Sequence, residues 1–481
     1  MKNNLEKAKE LFFKSLEYQF NGDLNRAKSI LEEALIFAPE RTSIINNLLV
    51  INFSLKNRQS LTKLSNHIEK IGIEKIYYAK IALAYVDHIN KDYEKSISTT
   101  KLILESQDSN IEGHCIDLLI KNYFKTCNLE KLFFYLRLSL KKNINHEQSL
   151  YSVGSILQYL SKPRASIYFI NKSLQIRKNE SYNSCLAQAY LKLKNFDKGL
   201  RLWESRLLIN NTNSKISDSL KFFKSIDDLS NKKVLIICEQ GLGDTINFSR
   251  FVKLLKKYTS LITFIVQDKL YDLFKDFDSV ITIVRKSDFI QFNYDFTIPL
   301  ASLMNLLKLK YDDIKFECLN LSKEKYPIQL TTDKFNVAFS NYGNQDYIND
   351  QFRSIDISKM SKIFDNLSIN FFSISPNLKG SFLKRPNITD VSHLKFEEIG
   401  NFLKDIDLVF TTDTVFVHLC GILNINCIML LNKNSEWRWF DDKKKTIWYP
   451  SIRILKQKKI NNWEREINII SKFLDIKKIN R

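Results

Sequence analysis

Two short turns hold the residues best suited to chemistry. The first, Glu239-Gln240-Gly241-Leu242-Gly243-Asp244-Thr245, follows an apolar run and opens a helical pattern. Its glycines allow a tight turn and a close approach to a ligand, and the helix start beyond offers free N–H groups to an anion. It is not a dinucleotide fingerprint, because Ile246 stands where the third glycine would fall. On residue type alone, Asp244 reads as a helix N-cap. The second turn, Thr411-Thr-Asp-Thr-Val-Phe-Val-His-Leu-Cys-Gly421, has the same setting. Thr414 and His418 are four apart and share a helix face, with Asp413 at the N-terminus. A phosphate there would meet unpaired N–H groups, the threonine hydroxyl and the positive end of the helix dipole. His418 taken alone reads more readily as a buried structural histidine.

The elements that position these turns alternate. Apolar runs predict strands at 232–238, 262–266, 280–284, 295–298, 336–340, 369–373, 408–411 and 427–431. Helical stretches separate many of them, notably 245–257, 358–366, 395–404 and 414–423. Alternation of this kind predicts doubly wound parallel sheets, two of them meeting near 330 with a cleft between.

The first two hundred residues have another period. A polar turn followed by a small or apolar residue recurs at Ala27, Leu61, Ser96, Leu132, Ala165 and Gly199, in steps of 34, 35, 36, 33 and 34. That is the tetratricopeptide period, in which pairs of amphipathic helices pack closely across a small residue. Ala27, Ser96, Ala165 and Gly199 suit that role; Leu61 and Leu132 mark degenerate units. The first unit, with Tyr18, Asn21-Gly22, Leu31, Ala34 and Pro39, follows the repeat consensus most closely, and the last, Ala187 through Trp203, nearly as well. Such an array offers a concave face to a protein partner or acceptor, or serves as a spacer or dimerisation platform.

Bulk composition sets limits. A chain of 481 residues, 44% hydrophobic with only 11 Gly and 7 Pro, has material for two or three packed domains and little for flexible linkers. Seven cysteines, odd in number and without CxxC pairs, read as buried thiols of a reducing compartment. The opening Met1–Phe20 stretch is charged and helical, and no run approaches 18 apolar residues, so neither export nor a membrane span is expected. The net charge of +20 is spread along a Lys-, Asn- and Ile-rich chain, which argues against nucleic acid. Peripheral contact with an anionic membrane is the fairer expectation.

Several motifs, in order, carry a family resemblance. Glu239 through Phe251 resembles the opening loop of bacterial glycosyltransferases related to the ADP-heptose:lipopolysaccharide heptosyltransferases, especially their tetratricopeptide-fused relatives. Thr411–Gly421 resembles the donor-binding turn of the same family. Pro299–Leu303, Gly343-Asn344 through Asp350, Arg353 and Ser354, Trp437-Arg-Trp439, Trp448–Ser451 and Arg453–Gln457 match in order and spacing, and Trp203–Arg206 extends the match backwards. Two features depart from it: Asn341-Tyr-Gly-Asn344 replaces a Trp-Ser-Gly-Asn type of turn, and Cys420 replaces an alanine.

The resemblance implies an N-terminal tetratricopeptide-like α-solenoid followed by two Rossmann-like lobes of the GT-B type. The implied boundaries are repeats at 1–210, a linker at 211–231, an acceptor-side lobe at 232–330 and a donor-side lobe at 331–481. It implies an inverting, metal-independent transferase, cytoplasmic and without cofactor, moving a sugar from a nucleotide diphosphate to a glycan, lipid or protein. Asp244 would be the catalytic base, and Gly241, Gly243, Asn344, Arg353, Asp413, Thr414 and His418 would bind donor. Arg353 would steady the departing diphosphate, although a surface salt bridge is the alternative for an isolated arginine. The Asp-Asp pairs at 227–228, 312–313 and 441–442 fall in turns and are not expected to hold metal. Two other readings stand beside the enzyme: a non-catalytic interaction protein on a repeat scaffold, and a protein glycosyltransferase whose repeats hold polypeptide.

Overall fold

The structure is a computed structural model. It describes every residue except 1, 21, 72–75, 106–108, 143–145, 210–225, 290–293, 322–325, 332, 346, 348, 376–381, 383, 441, 443, 480 and 481. Asn21, Asp441 and most of the expected linker therefore lie outside the described residues. The chain forms two compact units. One comprises Met1–Ser155, Tyr168–Tyr182 and Leu207–Thr212; the other comprises Ile156–Ile167, Asn183–Arg206 and Asn213–Arg481.

In the first unit, successive helices from Lys2–Phe20 to Leu129–Lys141 pack each on the next. The repeat is written in the backbone of its turns. Gly22, Lys56, Lys91, Cys127, Ser161 and Lys194, one per repeat across both units, have positive φ. The following N–H bonds back five residues, as from Asp23 to Tyr18, Asn57 to Asn52 and Asn195 to Tyr190. This is the Schellman closure of one helix. The side chains of Asp23, Asn57, Asn128 and Asn195 then accept the N–H three residues on and cap the next helix. In the fifth repeat Lys162 has no such acceptor, and Pro163 opens the helix, where its missing N–H costs nothing.

Counting from these turns corrects one expectation. The interior position falls five residues after the left-handed residue, which selects Ser166, fully buried, and not the half-buried Ala165. Leu61 and Leu132 are fully buried at the same position, so those units keep the interior site with a larger side chain.

The second unit holds two parallel sheets. β1 (Val234–Ile237), β2 (Ile262–Val266), β3 (Ile281–Arg285) and β4 (Phe296–Pro299) lie in the order β3-β2-β1-β4. β5 (Phe335–Ser340), β6 (Ile369–Ser373), β7 (Ile388–Asp390), β8 (Leu408–Thr412), β9 (Cys427–Leu431) and β10 (Ile452–Lys456) lie in the order β10-β9-β8-β5-β6-β7. Numbered from β5, the second sheet has the doubly wound order 3-2-1-4-5-6, and the first sheet is its first four strands. The expected architecture of a helical array followed by two Rossmann-like lobes is therefore present.

Two helical expectations are modified. The stretch 245–257 is one α-helix, Leu242–Phe248, followed by 3-10 segments Ser249–Phe251 and Lys253–Lys257. The break comes where the buried Arg250 turns its Nε onto the Asn247 carbonyl at 2.9 Å, the acceptor a continuing helix would need. The stretch 358–366 is 3-10, Ile357–Asp365.

One apolar core runs through the last repeat and both lobes, joining Leu191, Phe196 and Trp203 to Phe248, Trp437 and Trp448. Among the described residues, no helix is long and apolar enough to cross a membrane.

Candidate functional site

The second sheet reverses direction between β5 and β8. Chains leaving the carboxyl ends of these two neighbours diverge and leave a crevice, the usual ligand position in doubly wound sheets. Gly343 and Asn344 follow β5, and Asp413 and Thr414 follow β8. Thr414, not Asp413, is the cap of helix Val415–Ile422: its Oγ1 accepts the Phe416 N–H at 3.3 Å. Arg353 ties the two loops together. Its Nη1 donates to the Asp413 carbonyl at 2.8 Å and its Nε to Asp350 at 2.9 Å, while the guanidinium lies 4.5 Å over the Tyr347 ring. A Cβ on Gly343 would come within 2.6 Å of Nη2, so glycine makes room for this bridge. With its side chain only 16% exposed, Arg353 is no surface salt bridge.

The first lobe contributes the turn after β1. Gly241 is the N-cap of helix Leu242–Phe248 with φ −70°, and Gly243 is absent from the residues with positive φ. The glycines are therefore not needed for the turn itself. Gly243 is needed for contact, because a Cβ there would stand 2.7 Å from His418 Cδ2 of the other lobe. Asp244 is the third helical residue and not the cap: its Oδ2 accepts the Gly241 N–H at 3.0 Å. Glu239 serves the scaffold. Arg206 of the last repeat grips it with two bonds of 3.0 and 2.7 Å, and it accepts the Ala301 N–H beyond β4 at 3.0 Å.

Residue-by-residue reading of the sequence missed Arg438. It lies buried in the turn Trp437–Trp439, flanked by the Phe248 and Trp437 rings at 5.4 and 5.0 Å. Its Nη2 reaches across the lobes to Asp244 Oδ1 at 2.5 Å and Gln240 Oε1 at 2.6 Å, and its Nη1 donates to Glu436 at 2.7 Å. Glu436 in turn accepts the Tyr347 hydroxyl. The signal available was an arginine set between two tryptophans, a setting its planar cation tolerates better than lysine would.

Burial dominates the local electrostatics. It raises the pKa of Asp244, against the pull of Arg438. Asp413 is raised to about 6, first by burial and then by the Glu436 charge, with Arg353 opposing. His418 is lowered to about 3 by burial, helped by Arg438 and Arg250. Its Nδ1 pairs with the Tyr449 hydroxyl at 3.0 Å, which gives its own proton to Asn247 Oδ1 at 2.9 Å. In that network His418 donates from Nδ1, and Nε2 remains an acceptor. Its ring stacks on Trp439 at 5.2 Å.

All the sequence-derived candidates come together. Gly241, Gly243, Asp244, Asn344, Arg353, Asp413, Thr414 and His418 line one cleft of about 1080 Å³, which Lys269 and Lys395 also line. Among the described residues, no group of three or more His, Cys, Asp or Glu is disposed to hold a metal ion.

Neither a protein-family model nor a curated protein matches the chain. Solved structures that resemble it include a glycosyl transferase family 9 protein from Veillonella parvula, with 10% identity, 51% of this chain and 98% of that one covered, and a TM-score of 0.35. TibC, an iron-containing dodecameric glycosyltransferase from enterotoxigenic E. coli, shows 12% identity over 52% of this chain and 77% of its own, with a TM-score of 0.36. An O-GlcNAc transferase mutant from Thermobaculum terrenum shows 10% identity over 98% of this chain and 90% of its own, with a TM-score of 0.25. At these scores the likeness carries no inference about activity or substrate.

Proposed function

We propose that the cleft is the active site of an inverting glycosyltransferase that takes a sugar from a nucleotide diphosphate without a metal ion. One observation carries the reading: two helix starts, from different lobes, face one cleft that also holds Asp244, Arg353 and Arg438. The motif resemblance of the two turns points the same way. The donor diphosphate lies against the start of helix Val415–Ile422, where free N–H groups and the Thr414 hydroxyl meet it. Asp244 takes the proton of the acceptor hydroxyl as that oxygen bonds to the anomeric carbon. The bond from that carbon to the diphosphate oxygen breaks, and its electron pair leaves on the diphosphate. A single in-line displacement inverts the anomeric centre. The acceptor is a glycan, lipid or protein, and the repeats present it or a partner.

The Arg438–Asp244 ion pair favours a second reading, a binding module, because a carboxylate so held is a poorer base. One experiment separates the two. A thermal-shift screen of nucleotide sugars should find a donor that stabilises the wild type, by about 2.7 kcal/mol at a hundred times its dissociation constant. Asp244→Asn should show a shift at least as large and lower turnover about a hundredfold or more. A donor shift with no transfer by the wild type supports the binding module, and no shift with any nucleotide sugar sinks both.

A further inference from the structure

Arg438 is placed to do more than brace the turn. Its carbonyl accepts the Trp448 indole N–H at 2.5 Å, which fixes the backbone behind it. Two residues on, Phe440 is fully buried with φ 48° and ψ −134°, a backbone region otherwise left to glycine. Strain held at a buried aromatic beside a cleft marks a residue whose position is over-determined by its surroundings. The guanidinium charge is neutralised from within the protein by Asp244 and Glu436, while its buried Nε has no hydrogen-bond partner among the described residues. Its charge also acts on Asp413 and His418, at the start of the facing helix.

We infer that Arg438 is exchanged between two anions: it holds Asp244 in the empty site and turns to the diphosphate when donor binds, so that donor binding releases the Asp244 carboxylate. The inference rests on the glycosyltransferase reading. Arginine suits the exchange because its fork binds carboxylate and phosphate with similar geometry. The consequence is an order of events. Asp244 becomes free to accept a proton once the donor is seated, and not before. Burial, which already pushes its pKa upward, then acts on a carboxylate without its guanidinium and makes it a stronger base.

The test is binding of ADP, GDP, UDP, CDP and dTDP, one at a time, to the full chain by titration calorimetry. Wild type binds at least one. For that nucleotide, Arg438→Gln weakens affinity by about tenfold or more, as loss of a charge-assisted contact implies. Asp244→Asn moves the other way and tightens binding several-fold, because the diphosphate no longer displaces a carboxylate. In the double variant the gain from Asp244→Asn disappears. A merely structural role for the ion pair predicts that both single variants bind more weakly. Unchanged or weakened binding by Asp244→Asn overturns the exchange while leaving the transferase reading intact. Binding of none of the five by wild type removes that reading and the exchange with it. Should Arg438→Gln fail to fold, the Asp244→Asn arm decides, since asparagine still accepts the Gly241 N–H.

Discussion

A histidine bonded to a tyrosine hydroxyl, stacked on an indole and lying near two arginines has no use for a proton. His418, with its pKa lowered to about 3, contributes stability that is present above the unfolded value of 6.5 and lost as pH falls through about 3. Asp413 has the opposite sign. Raised to about 6, it contributes stability that is present below its unfolded value of 3.8 and lost as pH rises through about 6. Unliganded Asp413→Asn should therefore melt higher than wild type at pH 7 and lose that advantage below pH 4, while His418→Gln should flatten the wild-type decline between pH 6.5 and 3. Thermal melts across that range check both, and an Asp413→Asn that melts lower at pH 7 refutes the assignment. A carboxylate that costs stability where it stands is what a binding residue looks like in energetic terms. The sequence could present Asp413, Thr414 and His418 because strand, turn and helix were local. It could not present Arg438, whose partners Gln240 and Asp244 lie nearly two hundred residues away. Nor could it tell a glycine that bends the chain from one that admits a neighbour, which is the case at Gly243.

At the scale of elements, the repeat turns make a sharp test, because five of the six left-handed positions are not glycine. Lys91, exposed and at φ 72°, should gain about 0.5–1 kcal/mol on replacement by glycine, since an L side chain is disfavoured there. Asn128→Ala should cost about 1 kcal/mol by removing a cap. Urea melts would show midpoints moving in opposite directions; a Lys91→Gly midpoint at or below wild type would contradict the strain argument. Strands were legible where both faces are covered, as in the wholly buried β8, because an uninterrupted apolar run survives any choice of neighbour. β7 and β10 escaped notice for the converse reason. They are the two edges of the second sheet, one only three residues long and the other a five-residue run, Ile-Arg-Ile-Leu-Lys, broken by Arg453 and ended by Lys456.

At the scale of the molecule, the last repeat belongs energetically with the lobes. Trp203 meets the Trp437 ring at 5.9 Å, Phe196 packs on Phe440 at 6.1 Å, and Arg206 neutralises Glu239 beside the Gly241–Asp244 turn. A fragment beginning at 232 would expose those faces and strand Glu239, whereas one beginning at 180 keeps them. The longer fragment should be obtained folded and the shorter should aggregate or melt at least 10 °C lower, roughly what several kcal/mol implies for a fragment of this size. Equal melting temperatures would show that the repeat is dispensable to the lobes. Periodicity groups Trp203 with the helical array; what period cannot reveal is which surface the final helix faces, and Asn183–Arg206 belongs to the compact unit of the lobes.

The same aromatic packing bears on traffic. Phe248, Trp437, Phe440 and Trp448 form one dry seam across the two lobes, each ring in contact with at least one other. Parting the lobes there would wet four large rings at once, so the cleft is closed on that side like a purse with a sewn base. On the proposed reading, a spent nucleotide must leave the cleft by a side other than this seam.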